Sequence, residues 1–198
     1  MALEIQRSAP LSTEIRGSKS HALVLLSGEL DVSTAGGLYE ELAGLEFRPF
    51  TEIPLDEWHR VIDVDLWGVI HGVRTFVPLI LASGEEGHVV NVASMAAVLT
   101  IPRLAPYTVA NHGVLGLTDV LRAELEGLGA PVGASVVMPG MVKTAMNPIG
   151  TVPAATVAAN VLDAIQNDRA YVFTDDHSTE DVERRLRDVL AARADVIT

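Results

Sequence analysis

The chain has 198 residues, a net charge of −12 and a pI near 4.8, so it offers no basic surface to a nucleic-acid backbone. It contains no cysteine, which excludes disulfides and thiolate metal sites, and its six histidines lack metal-ligand spacing. Apolar residues make up 48% and charged residues 20%, the balance of a globular fold. The opening MALEIQRSAPLSTEIRG lacks the apolar core of a secretory signal. No uncharged apolar run reaches the ~18 residues of a bilayer span. The expectation is a soluble cytoplasmic protein that engages neither membrane nor nucleic acid.

In chain order, a short strand is expected near Leu3–Gln6, then a polar loop, then a strong strand at Ala22–Leu26. A turn at Ser27-Gly28 leads to a helix opening at Ser33 or Thr34, both suitable N-caps, and ending near Gly44. Leu55–Leu81 reads as a long helix, kinked or ended near Pro78. Asp56 and Glu57 suit its positive end, and Trp58, Ile62, Leu66, Val69 and Val73 form its apolar stripe. A loop at Ser83–Gly87 precedes a buried-type strand, Val89–Ala93. Pro106–Leu128 is the next helix, with Val114, Leu117, Leu121 and Leu125 at turn spacing. A strand at Ala134–Met138 stops at Pro139-Gly140. A helix at Ala154–Gln166, a strand at Tyr171–Thr174 and a charged helix at Thr179–Arg193 complete the chain; the last carries Val182, Leu186, Val189 and Leu190 on one side. This alternation predicts an α/β fold with a parallel sheet flanked by helices.

The chemistry-bearing stretch runs from Ser94 to Tyr107, thirteen positions later. A serine hydroxyl that holds a substrate oxygen and a phenol that gives or takes a proton suit hydride transfer at a carbonyl. The competing reading is that Ser94 caps a loop and Tyr107 packs at a helix start.

From about Ala43 onward the chain resembles the short-chain dehydrogenase/reductase family. Ser94 and Tyr107 stand at that family's catalytic spacing. Pro139-Gly-Met-Val-Lys-Thr144 is similar to its P-G-x-x-x-T motif, which implies that Pro139, Gly140, Val142 and Thr144 flank a nicotinamide. Val61–Gly68 resembles the start of its long interface helix, and Ala43-Gly44 the tail of an N-N-A-G turn. The resemblance implies a Rossmann-like sheet, NAD or NADP as cofactor, a small carbonyl or alcohol substrate, and a homodimer or homotetramer built on the helices beginning near Leu55 and Pro106.

The sequence departs from that pattern in three places. No T-G-x-x-x-G-x-G follows an opening strand, so the first half of the nucleotide-binding sheet reads as truncated or replaced. The family's helix asparagine is Asp65, and the lysine of Y-x-x-x-K is Asn111. Loss of a cation and gain of an anion both disfavour the phenolate. Lys143 lies on a different loop and does not replace the lysine.

Leu23–Ala35 resembles the opening of a STAS domain, the fold of anti-sigma factor antagonists. The expected organisation is therefore a STAS-like segment over 1–44 and the C-terminal part of a dehydrogenase/reductase domain over 45–198. The functional expectation is an impaired oxidoreductase, with a non-catalytic dimerisation or regulatory interaction protein as the alternative. The edge beside Val89–Ala93 is expected to be filled by Ala22–Leu26.

Overall fold

The computed structural model describes residues 12–18, 21–27, 47–144 and 147–194. The chain divides into two units, Met1–Glu46 and Phe47–Thr198. In the first, β1 (Ser12–Ser18) pairs with β2 (His21–Ser27) as an antiparallel ladder from Ser12↔Ser27 to Ser18↔His21. Two expectations are corrected here. The stretch before Ala22 holds a strand rather than only a polar loop. The partner of Ala22–Leu26 is this strand and not Val89–Ala93. Two residues separate β1 from β2, a spacing that permits antiparallel neighbours and no crossover. The expected elements at Leu3–Gln6 and Ser33–Gly44 lie outside the described residues.

The second unit opens with a 3-10 turn, Phe50–Glu52, and then a continuous helical run in three parts. These are α1 (Leu55–Ile62), a π-helical turn (Asp63–Trp67) and α2 (Gly68–Ser83). Trp58, Ile62, Leu66, Val69 and Val73 are all half-buried, so the stripe survives the extra residue of the π-turn. Pro78 lies inside α2 without ending it; the residue is exposed, and the helix stops at Gly84 in the left-handed region (φ 71°). By length and composition alone this run is long and apolar enough to cross a bilayer. The run carries Arg74 and packs its stripe against its own unit.

Three parallel strands form the sheet in the order β3 (Gly87–Val92), β4 (Val132–Met138), β7 (Tyr171–Phe173). Between them run α3 (Ala105–Gly127) and α4 (Ala154–Gln166). A small parallel pair, β5 (Val142–Lys143) with β6 (Val152–Pro153), closes the loop after β4. The chain's last described helix is α5 (Thr179–Ala194).

Strand β4 is buried at every position but Gly133, as expected of a strand covered on both faces. Its residues alternate between two cores. Val132 and Ala134 meet Val77, Leu121 and Leu125 of α2 and α3, whereas Val137 meets Ala164 of α4 and Val172 of β7. Each such fully buried Val or Leu contributes about 1.5–3 kcal/mol. A further cluster joins Met95, Ala97, Val114, Val136 and Met138 with Leu66 of the π-turn and Val182 of α5. This third cluster lies around the C-terminal end of β4 and positions the candidate site.

Candidate active site

Ser94 follows β3 in extended backbone (φ −151°, ψ 169°) and caps the 3-10 turn Met95–Ala97. The Ala96 N–H donates to its Oγ at 3.2 Å. The capping reading is therefore correct, and it leaves the hydroxyl proton free to donate elsewhere. The segment is pinned to the neighbouring strand: Ala93 N–H donates to Val137 O at 2.8 Å and Met95 N–H to Pro139 O at 3.1 Å.

Tyr107 sits in the first turn of α3, after Pro106 near the helix start. Asn111, 5% exposed, donates from Nδ2 to the Tyr107 carbonyl at 2.9 Å. Its side chain is thus turned back onto its own helix. Asp65 comes from the π-turn, whose Leu66 packs against α3 so tightly that a Cβ at Gly113 would overlap it. Small residues at this crossing bring the carboxylate to the catalytic end of α3.

Three predicted residues, Ser94, Asn111 and Asp65, therefore act on the phenol of the fourth, Tyr107. Burial pushes the Tyr107 hydroxyl above its ordinary value of 10.0, and the nearby Asp65 charge pushes it further the same way. Hydrogen bonding with Ser94 and Asn111 works in the opposite direction but does not reverse the shift. The phenol is held protonated.

The Pro139–Thr144 segment lies on the loop beyond β4. Gly140 N–H donates to Thr174 Oγ1 at 3.1 Å, and a Cβ at Gly140 would have to displace the Asp175 carboxylate. Val142 N–H is spent on Gly140 O at 2.9 Å. Thr144 is exposed; its Oγ1 accepts from Asn147 N–H at 3.0 Å and keeps a proton to donate. That hydroxyl suits a carboxamide acceptor. Asn111 spends one of its two Nδ2 hydrogens on the Tyr107 carbonyl and also hydrogen-bonds the Tyr107 hydroxyl, and it is shorter than a lysine and neutral. Lys143 is exposed on β5 and takes no part in the Tyr107 cluster.

Sequence reasoning missed the π-turn and two neighbours of Tyr107. Thr108 Oγ1 is buried without a hydrogen-bond partner among the described residues. His112 bonds the Thr108 carbonyl through Nδ1 at 2.9 Å and meets Arg185 of α5 through Nε2 at 2.6 Å. Only the first of these contacts has a local signal, the four-residue spacing.

A second polar cluster lies toward the N-terminal ends of the strands. Ser135 Oγ donates to Arg169 O at 2.6 Å and meets His88 Nε2 at 2.6 Å, while His88 Nδ1 lies 3.8 Å from Asp168 Oδ1. Ser, His and Asp in this order imitate a nucleophilic triad. Ser135 is 0% exposed and its proton is already given to a carbonyl, so it cannot attack a substrate. Burial holds His88 below 6.5, against the pull of Asp168.

A profile of the short chain dehydrogenase family matches residues 29–150. The match begins inside the stretch expected to hold a STAS-like opening. Among curated proteins, 1-deoxy-11-beta-hydroxypentalenate dehydrogenase of Streptomyces avermitilis is 39% identical over 173 residues, covering 81% of this chain and 60% of the relative. A solved structure of a short-chain dehydrogenase from Novosphingobium aromaticivorans is 31% identical with TM-score 0.68, covering 76% of this chain and 56% of that one. A short chain dehydrogenase/reductase from Burkholderia phymatum, solved in complex with NAD, is 27% identical with TM-score 0.67, covering 73% and 62%. The chain thus spans about three-fifths of the length of the relatives it matches over most of its own length. On the sequence match and the α/β fold together, this protein belongs to the short-chain dehydrogenase/reductase family.

Proposed function

We propose that the chain carries the substrate side of an NAD- or NADP-linked carbonyl/alcohol oxidoreductase, and that its proton transfer is held back. The observation that carries this reading is the Tyr107 phenol, placed with Ser94 and Asn111 and raised by burial and by Asp65. In the reducing direction Ser94 donates to the substrate carbonyl oxygen and Tyr107 delivers the proton to it. A protonated phenol suits that role, but its conjugate base is costly beside Asp65, so proton delivery is slow. In the oxidising direction the same phenol would have to start ionised, which burial and Asp65 oppose.

A nicotinamide, when bound, supplies or takes the hydride; Thr144 and the Pro139–Gly140 turn are the residues that would flank it. Asn111 supplies neither the cation that lowers the phenol nor the longer reach of a lysine.

The test compares NAD(P)H-dependent reduction of a carbonyl panel by the full chain, by Tyr107→Phe, and by Asp65→Asn/Asn111→Lys, alongside NADH and NADPH titrations. Low wild-type turnover that rises in the double variant and vanishes in Tyr107→Phe supports the reading. Wild-type turnover that survives Tyr107→Phe overturns the assignment of the phenol.

The subunit contact implied by family resemblance has its own support. Val64, Trp67 and Leu79 on the α1–α2 run, and Val109 and Val120 on α3, are exposed apolar residues on the two helices concerned. Sedimentation at micromolar concentration that shows only monomer would overturn this contact.

A further inference from the structure

We propose that α5 is a strap, latched onto the catalytic helix by one hydrogen bond that exists only while His112 is neutral, so that acid releases it. Along residues 179–193 only Val182 and Arg185 are sheltered; all the others are exposed, including Leu186, Val189 and Leu190 at 55%, 61% and 66%. The helix is therefore attached at two points. Val182 packs against the cluster that holds Met95 and Ala97, just after Ser94, together with Val114, Val136 and Met138. One turn later, Arg185 Nη1 reaches His112 Nε2 at 2.6 Å.

The tautomer of His112 follows from its two partners. The Thr108 carbonyl can only accept, so Nδ1 carries a proton and donates to it at 2.9 Å. Arg185 can only donate, so Nε2 presents a lone pair. Both contacts are satisfied by one state, the neutral ring protonated at Nδ1. A second proton has no place to go but Nε2, where it turns the acceptor into a donor facing a guanidinium. The attraction becomes a repulsion between two cations.

On α5, Asp181 is engaged by Arg184 and Asp188 is exposed one turn past Arg185. From the π-turn, Asp65 acts at Tyr107, one turn back along α3. His112 itself lies next to Asn111 in the chain. Release of α5 would uncover the apolar residues beside Ser94, which makes the strap a cover over the proposed substrate side. The latch itself does not depend on that functional reading.

Hydrogen–deuterium exchange of the full chain tests the strap, with rates corrected for the intrinsic pH dependence of amide exchange. The comparison is between pH 8 and pH 5. Protection of the α5 amides is expected to fall about tenfold at pH 5, while β4 stays protected. At pH 8, Arg185→Met should already show the low protection, because its donor is gone. His112→Gln, which keeps an acceptor without a titrating ring, should remove the pH response. Wild-type protection of α5 in Arg185→Met at pH 8, or an undiminished pH response in His112→Gln, would overturn the proposal. Because exchange is read without cofactor or substrate, either result is independent of whether the oxidoreductase reading stands.

Discussion

Toward the N-terminal ends of the strands, His88, Ser135, Asp168 and Arg122 form a cluster in which nearly every polar group has a fixed partner. Ser135 gives its proton to Arg169 O and accepts from His88; Arg122 grips Asp168 and also donates to Ala134 O at 2.9 Å. At the C-terminal ends, Ser94 accepts one backbone hydrogen bond and bonds the Tyr107 phenol, while Thr144 accepts one backbone hydrogen bond and keeps a proton to give. Side-chain type does not distinguish the two places, since a serine, an aspartate and a ring or phenol occur at both. What distinguishes them is spare hydrogen-bonding capacity. A saturated network fixes strands; an unsaturated one can act on a substrate.

The sharpest way to break this contrast is to restore the cation at the catalytic end. Asn111→Lys, with Asp65→Asn, removes an anion and adds a positive charge beside the phenol. We expect the Tyr107 titration, followed by ultraviolet difference absorbance against Tyr107→Phe, to move from above 10 toward neutrality. Carbonyl reduction should rise about a hundredfold where cofactor binds. An unmoved phenol titration would show that burial alone sets it.

The next largest effect belongs to the saturated end. Ser135→Ala removes the acceptor for His88 and the donor to Arg169 O in a fully buried position. Loss of about 1–3 kcal/mol is expected in denaturant unfolding, because two buried groups lose their partner. The corresponding Ser94→Ala should cost less stability, since it removes one partly buried cap on Ala96 N–H. Equal costs would erase the distinction between the two serines.

The two ends were unequally legible in the sequence. The helix at Ala154–Gln166 was readable to the residue, and α3 and α5 to within one, because apolar stripes and breakers bound them. Ser94 and Tyr107 were readable from their spacing within matching motifs, and the pull of Asp65 on the phenol from charge alone. The π-turn was not, because one extra residue in a helix leaves a stripe of half-buried residues almost unchanged. Strand β1 was missed because STEIRGS has a single large apolar residue. The His88 cluster was missed because Ser135 finds its partners His88 and Arg169 at 47 and 34 positions' distance, and each is an ordinary polar residue in its own segment.

A smaller effect should appear on acidification. Burial keeps the folded His88 below 6.5, so the unfolded chain binds the proton first as pH falls. Stability from this group is complete above 6.5 and declines below it, until the folded ring also titrates. Denaturant midpoints should therefore drop between pH 7 and pH 5 in the wild type, and His88→Gln should flatten that drop. A wild-type midpoint that does not change over this interval would mean that folding does not depress the ring.

The smallest effect is expected at the exposed rim of the same cluster. Arg122 hydrogen bonding holds the Asp168 carboxyl below 3.8, and stability from this pair is present above 3.8 and lost as pH falls through the lower folded value. Asp168 is 59% exposed, so water screens the pair and its contribution should stay under about 1 kcal/mol. Asp168→Asn is the fitting replacement, because residue 168 has a positive φ of 48° that asparagine tolerates better than other neutral residues. It should lower the unfolding midpoint slightly, and added salt should shrink the difference. Arg122→Met should cost more than Asp168→Asn, because it also strips the Ala134 carbonyl of a donor inside the sheet. If the two substitutions cost the same and salt removes both effects, Arg122 acts only as a surface charge, and the saturation attributed to this end stops at Ser135 and His88.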